Sequence, residues 1–227
     1  MLVYLLRAEL MFVIHFKFYH FLMESIELFA GKATFSEIAK TLGFNTTSVD
    51  IDPKSNASII ADLLKWDYTN LNIKPDLIWA SPECTYFSRA ANQNNWKKTN
   101  VSRRVYHYEP VTLNASLAIE LVSKTIEIIS YFKPSVFFIE NPIGRIQHLQ
   151  SLKDIGHYRY FVNYADWGFN YSKETYIFTN ILLPLPSTKQ KCKSPGLRTL
   201  SNKKNRSRIP PTLLEFLIKK ACQNLKL

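Results

Sequence analysis

Two short runs constrain this chain more than anything else in it. DLIWAS (76–81) and SVFFIEN (135–141) are continuous apolar stretches of strand length, polar only at their ends. A strand without polar alternation has both faces buried, which is the habit of a mostly parallel sheet covered by helices. The intervening segments agree. SIELFA (25–30) reads as a strand, followed by a turn at Gly31 and a helix over TFSEIAKTLG that closes at Gly43. TTSVDID (46–52) is the next strand, stopped by Pro53. From Thr112 to Phe132 the apolar residues Ala115, Ile119, Val122, Ile126 and Ile129 step by three and four, the stripe of an amphipathic helix that Pro134 ends. YRYFVNYADWG and ETYIFTN (174–180) read as two strands close enough to pair as a hairpin, and Pro210-Pro211 opens a last helix. The expectation is an α/β fold with strands alternating with helices.

In such sheets ligands collect outside the carboxyl ends of the strands. The residues there are Gly31, Asp50 and Asp52, Cys84, and Glu140 with Asn141. Gly31 sits at a strand-to-helix turn, and Asp50 follows at the spacing of a carboxylate that grips a ribose hydroxyl; a plain turn glycine and a strand-end aspartate fit the same residues. Asp62 is placed to accept from an adenine amino group or simply to be solvated. Glu140 ends a run of apolar residues, where a carboxylate sheds water and can protonate or hydrogen-bond a ring nitrogen, or merely cap the next turn. Cys84, in SPECTYFS, is either a nucleophile or a small buried residue, and the adjoining Glu83 opposes formation of its thiolate.

Charge narrows the class. The net charge is +11 over 227 residues, and 13 of the 29 basic residues fall in two windows without acids, 89–104 and 187–208. Such runs are either solvated loops or phosphate contacts; their concentration favours DNA or another polyanion as partner. Three widely spaced cysteines argue against a disulfide framework and for a reducing compartment. The histidines and cysteines show no metal-ligand spacing, so no metal is expected. The apolar N-terminus carries Arg7, Glu9, His15, Lys17 and His20, which suits neither a membrane span nor a signal peptide. Residues 1–22 are therefore set apart, either as an extra packing helix or as an extension upstream of a start at Met23, and no membrane association is expected.

Taken together, these motifs resemble the cytosine-5 DNA methyltransferase family in its small, divergent, bacteriophage type. ELFAGKATFSEIAKTLGF is similar to the family's Phe-x-Gly-x-Gly motif, SPECTYFS to its Pro-Cys motif, and FFIENP to its Glu-Asn-Val motif. ADWGFNYSKETYIFTN resembles the Gln-x-Arg-x-Arg region, and RIPPTLLEFLIKKA the closing helix. The resemblance runs in order from about Glu24 to the C-terminus. It implies a Rossmann-like class I S-adenosylmethionine-dependent methyltransferase, with an antiparallel hairpin at one edge of the sheet and helices on both faces. It further implies that Cys84 adds to C6 of a flipped cytosine, that Glu140 engages N3, and that C5 takes the methyl of S-adenosylmethionine. Asn141 would order the strand end behind Glu140, and Lys173 would contact the flipped nucleotide. Phe29, Ala30, Gly31, Asp50, Ile51, Asp62, Ser81 and Pro82 would hold the cofactor. Arg89, Lys97, Lys98, Arg103 and Arg104, in a loop closing over the DNA, and Lys189, Lys191 and Lys193 would meet phosphates.

The departures are specific. Ala33 replaces the second motif glycine, which is harmless where the backbone keeps φ negative. Glu83 stands where the family has proline, so Arg89 or Lys173 must offset it at Cys84. The Gln-x-Arg-x-Arg positions read Tyr171, Lys173 and Thr175, keeping one cation and losing arginine's bidentate geometry. Residues 23–227 are expected to form the catalytic domain. A basic insert at 187–208 takes the place of a full target-recognition domain, since about 30 residues cannot form a typical ~100-residue domain. These features imply a short or relaxed recognition sequence or a specificity partner, a monomer, and a cytoplasmic setting in a bacterial or phage-infected host cell, as in restriction-modification. Two alternatives stay open: an inactive relative that binds DNA or cofactor, and a methyltransferase of pyrimidine nucleotides.

Overall fold

A computed structural model describes residues 23–87, 95–102, 105–155, 158–187 and 207–225. The chain builds a seven-stranded sheet. Its strands are β1 (Met23–Leu28), β2 (Phe44–Asp50), β3 (Ile59–Ile60), β4 (Leu77–Ala80), β7 (Val136–Pro142), β8 (Tyr158–Asn163) and β9 (Glu174–Thr179). The order across the sheet is β3-β2-β1-β4-β7-β9-β8. The first five run parallel; β9 pairs antiparallel with both β7 and β8, so the expected hairpin lies at one edge. This is the Rossmann-like architecture of class I methyltransferases, as the motifs imply.

Among the described residues four α-helices cover the sheet: α1 (Thr34–Thr41), α2 (Leu113–Phe132), α3 (Gln150–Asp154) and α4 (Pro211–Leu225). The faces are distinct. α2 buries Ala115, Val122 and Ile129 against Ile26, Ile78 and Ile139 on one side. α1 and α4 close the other, where Phe35 stacks on Trp79 at 5.5 Å and Leu214, Leu217 and Ile218 pack on Phe138 and Ile177. Both strands that read as buried are so: every residue of β4, and Val136 through Asn141 of β7. Thr112 caps α2, its hydroxyl accepting from Ala115 N, and Lys133 ends it in the left-handed conformation.

Two elements differ from expectation. β3, only Ile59-Ile60, is too short to stand out as a strand in the sequence; Val49 and Asp50 of β2 supply its partners. The loop expected to close over DNA, residues 85–104, holds a strand, β5 (Trp96–Ser102), which pairs antiparallel with β6 (Val105–Pro110) just beyond it to form a separate two-stranded sheet. Side-chain docking organises it. Trp96 is buried and donates from Nε1 to Tyr86 O at 2.6 Å, while the guanidinium of Arg145 faces both the Trp96 and Tyr108 rings.

Among the described residues no helix is long and apolar enough to cross a membrane, and no group of three or more His, Cys, Asp or Glu could hold a metal ion.

Candidate active site

β4 and β7 lie side by side with Ala80 opposite Ile139, so the chain leaving β4 and the end of β7 meet at the carboxyl edge of the sheet. Asn141 ties them together. It is fully buried, and its Nδ2 donates to Pro82 O at 2.9 Å. Its role therefore extends beyond the strand behind Glu140: it fixes the turn two residues before Cys84. Phe87 N donates to Cys84 O at 3.1 Å and Arg145 N to Phe87 O at 2.7 Å, which fastens the far side of that turn.

Cys84 is half-buried, and burial pushes its thiol above the ordinary value. Lys173 is the main opposing influence, pulling the thiol down, while Glu140 pushes it up. Glu83, the sequence neighbour expected to be the obstacle, contributes less than either. Its side chain is exposed, and Thr85 Oγ1 donates to it at 2.7 Å. Of the two cations considered, Lys173, in the segment before β9, is the one that pulls the thiol down, and it does not outweigh burial. Arg89, the other cation considered, lies outside the described residues.

Glu140 and Lys173 are 4% and 5% exposed, with Nζ 3.7 Å from Oε1. Reading for motifs missed the third member of this group. Tyr164 is fully buried, and its hydroxyl donates to the same Oε1 at 2.6 Å. Burial, reinforced by Glu140, holds its phenol well above the ordinary value, so it remains a donor. The ammonium of Lys173 also lies 4.7 Å from the Tyr164 ring centroid. Tyr171 and Thr175, at the positions of lost motif residues, are both buried; the Thr175 hydroxyl turns back to Lys173 O at 3.4 Å.

The β1–α1 turn is built differently. Phe29, Gly31 and Ala33 have φ of 62°, 52° and 56°, so three left-handed residues alternate within five. The condition under which Ala33 would be harmless is not met, because its Cβ sits in the conformation that glycine tolerates best. Asp50 holds the turn: Gly31 N donates to Oδ2 at 2.7 Å and Asp52 N to Oδ1 at 2.8 Å. Ala30 is buried and bonded to Val49 O, and Phe29 packs on the core. A Cβ built on Gly31 meets nothing within 4 Å, so the space beside this backbone is open. Ile51 is 66% exposed next to it. Ser81 Oγ donates to Phe29 O at 3.4 Å, bringing Ser81 and the buried Pro82 to the same edge. Asp62 is partly buried, accepts from Leu64 N and lies 3.8 Å from Lys65 Nζ.

A second residue went unremarked in the sequence. Glu27, on β1, is 4% exposed and accepts from Phe35 N at 3.3 Å and Ser36 N at 2.9 Å, serving α1 as the cap that Ala33 lacks. Burial raises its carboxyl to about 7.

Of the basic residues expected at DNA, Lys97 and Lys98 are exposed on β5. Arg89, Arg103, Arg104, Lys189, Lys191 and Lys193 lie outside the described residues, as do positions 1–22.

No family model matches the sequence. A probable DNA (cytosine-5)-methyltransferase of Frog virus 3 (isolate Goorha) is 31% identical over 173 residues, 73% of this chain and 74% of the relative. Among solved structures, a putative DNA modification methyltransferase encoded within an E. coli prophage aligns over 69% of this chain and 46% of its own, at 17% identity and a TM-score of 0.48. An Entamoeba histolytica methyltransferase, EhMeth, aligns over 74% and 57%, at 14% identity and a TM-score of 0.49. The chain spans about half the length of these solved structures.

Proposed function

Because the chain belongs to the DNA cytosine-5 methyltransferase family, we propose that it transfers a methyl group from S-adenosylmethionine to C5 of a cytosine in DNA. The observation that carries this reading is the cluster at the carboxyl ends of β4 and β7. There a thiol, a buried carboxylate and a buried ammonium converge, with the ammonium pulling the thiol toward its reactive form.

Each side chain has a task. Cys84, as thiolate, adds to C6 of a cytosine swung out of the duplex, the only state in which C6 and C5 are reachable. Glu140, taking up a proton from solvent as the cytosine enters, holds N3 and passes that proton to it, so that charge pushed into the ring is neutralised where it develops. C5 is then nucleophilic. Loss of the C5 proton to solvent after methylation expels the Cys84 sulfur as thiolate, and N3 returns its proton to Glu140. Asn141 keeps the Cys84 turn against β7, and Lys173 steadies the thiolate and the flipped nucleotide.

The turn residues fit the cofactor. The space beside Gly31 is open, Ile51 offers an uncovered apolar surface for an adenine, and Asp50 keeps lone pairs for ribose hydroxyls beyond the two backbone N–H groups it accepts. Phe29, Ala30, Ser81 and Pro82 line this pocket, and Asp62 accepts from the adenine amino group. When bound, S-adenosylmethionine supplies an electrophilic methyl on a sulfonium centre. Lys97 and Lys98, together with Arg89, Arg103, Arg104, Lys189, Lys191 and Lys193, are assigned to DNA phosphates, which fix register without reading sequence. Residues 23–227 act as the catalytic domain. With the 187–208 insert in place of a larger recognition domain, specificity is short or supplied by a partner.

The test uses tritiated S-adenosylmethionine and DNA containing 5-fluorocytosine, which blocks the final proton loss. A denaturation-resistant protein–DNA adduct is expected with the wild type and none with Cys84→Ser. Cofactor binding without adduct or methyl transfer on any DNA would overturn the reading in favour of an inert relative. Transfer to free nucleotides but not to DNA would reassign the substrate.

A further inference from the structure

Glu140 and Lys173 are buried together at opposite charge, yet they do not close into a hydrogen-bonded ion pair: Nζ stays 3.7 Å from Oε1. The short contact to that oxygen belongs to Tyr164, at 2.6 Å. A neutral hydroxyl has taken the place that an ammonium would otherwise fill.

The hydroxyl has little freedom to be elsewhere. Tyr164 opens a 3-10 turn after β8; Asn163 Oδ1 caps that turn by accepting from Ala165 N, and Gly168, at φ 94°, ends it. Tyr164 N donates to Lys173 O at 3.1 Å and its own carbonyl accepts from Phe169 N at 3.2 Å. Its ring meets Phe169 edge-on at 5.8 Å. Backbone and ring are both fixed, and the backbone bond ties Tyr164 to the residue whose side chain it displaces. Oε2 of Glu140, by contrast, takes no hydrogen bond from the described residues.

Resting on the function proposed above, we propose that Tyr164 is a positioning residue: its bond to Oε1 keeps Lys173 out of a closed pair with Glu140, leaving the ammonium to the Cys84 sulfur and Oε2 to the substrate ring. The groups that act on Cys84 are consistent with this. Among the described residues that act on it, Lys173 favours its thiolate, while Glu140 and Glu83 oppose it. A Lys173 drawn fully onto Glu140 would shift its charge toward the carboxylate and away from the thiol.

Tyr164→Phe removes only the hydroxyl. Two readouts follow, one independent of catalysis. First, alkylation of Cys84 by iodoacetamide, mapped by peptide mass against pH, is expected to have its midpoint displaced upward by about half a unit or more, so that the rate at neutral pH falls about threefold. In a Lys173→Met background the same substitution should move the midpoint no further. Second, kcat for methyl transfer is expected to fall about tenfold to a hundredfold, the scale of one hydrogen bond to a charged group, with KM for DNA and the cofactor Kd within about twofold. If the Phe variant does not fold, 3-fluorotyrosine at position 164 keeps the ring and strengthens the donor, and should move the midpoint the other way.

An unmoved midpoint, an equal displacement in the Lys173→Met background, or an unchanged kcat overturns the inference. Because alkylation needs no turnover, a wild type inactive on all DNA with the expected alkylation shift would overturn the functional reading alone. An active wild type with an unaltered Tyr164→Phe variant would overturn this inference alone.

Discussion

Two carboxylates in this molecule are equally buried and differently employed. Glu27 on β1 and Glu140 on β7 are each 4% exposed. Glu27 accepts from the backbone N–H groups of Phe35 and Ser36, with no cation among its hydrogen-bond partners, and burial takes its carboxyl to about 7. Glu140 meets a phenol and an ammonium. The contrast extends to their surroundings. The β1–α1 region shapes its site with backbone, through three left-handed residues and N–H groups gathered by Asp50. The β7–β9 region shapes its site with side chains drawn from distant segments. The first can open a concave surface to a ligand without burying a charge pair; the second holds charge out of water for use in a reaction.

The most damaging way to break the second region is to remove one partner of the pair. Glu140→Ala leaves the Lys173 ammonium buried without its counter-charge, and is expected to cost about 3 kcal/mol or more in unfolding free energy. Glu140→Ala with Lys173→Met should recover most of that loss, as should be visible in urea titrations of the single and double variants. Equal instability of the two would mean that the pair is already neutral or hydrated.

Glu27 has no cation among its hydrogen-bond partners to lose, so pH is the probe of the first region. A carboxyl at about 7 in the folded chain against 4.5 unfolded binds a proton more readily when folded. Its contribution is fully present below about pH 4.5 and is lost as pH rises through about 7, amounting to about 3 kcal/mol across the window. Unfolding free energy should therefore decline between pH 5 and 7.5 more steeply in the wild type than in Glu27→Gln. Parallel slopes would show that Glu27 is ionised throughout.

What the sequence disclosed follows the same division. Strand runs and helix stripes were legible because burial on both faces of β4 and β7, and the period of α2, are local patterns; α2 begins one residue after Thr112, its cap. The positions of Gly31, Asp50, Cys84 and Glu140 were legible because chain order in a parallel sheet places every strand end on one edge. Tyr164 was not legible. It is one of several aromatics in YRYFVNYADWG, and its partner lies 24 residues away, brought near by the pairing of β8 with β9 and of β9 with β7. The β5–β6 pair was illegible for another reason: its sequence is polar and basic, and it is fixed by Trp96 and Tyr108 against Arg145, not by a pattern of its own. Glu83 adjoins Cys84 in sequence, yet as an exposed neighbour it acts less strongly on the thiol than a buried cation 89 residues on.

The smallest expected effect is also the sharpest test of a site made from backbone. Ala33 precedes α1 with φ 56° and ψ 34°, a conformation that costs an alanine roughly 1–2 kcal/mol. It is 5% exposed, so replacement by glycine gives up a buried methyl, worth roughly 0.8 kcal/mol, and the added freedom of the unfolded chain. These terms nearly cancel, and Ala33→Gly is expected to leave stability unchanged or raise it by less than about 1 kcal/mol. Ala39, fully buried within α1, provides the reference. There the backbone is already helical, so Ala39→Gly relieves nothing and should cost about 1 kcal/mol or more. Thermal unfolding of the two variants decides the matter. If Ala33→Gly loses as much as Ala39→Gly, the turn before α1 is not strained, and the two regions differ in chemistry without differing in how their shape is held.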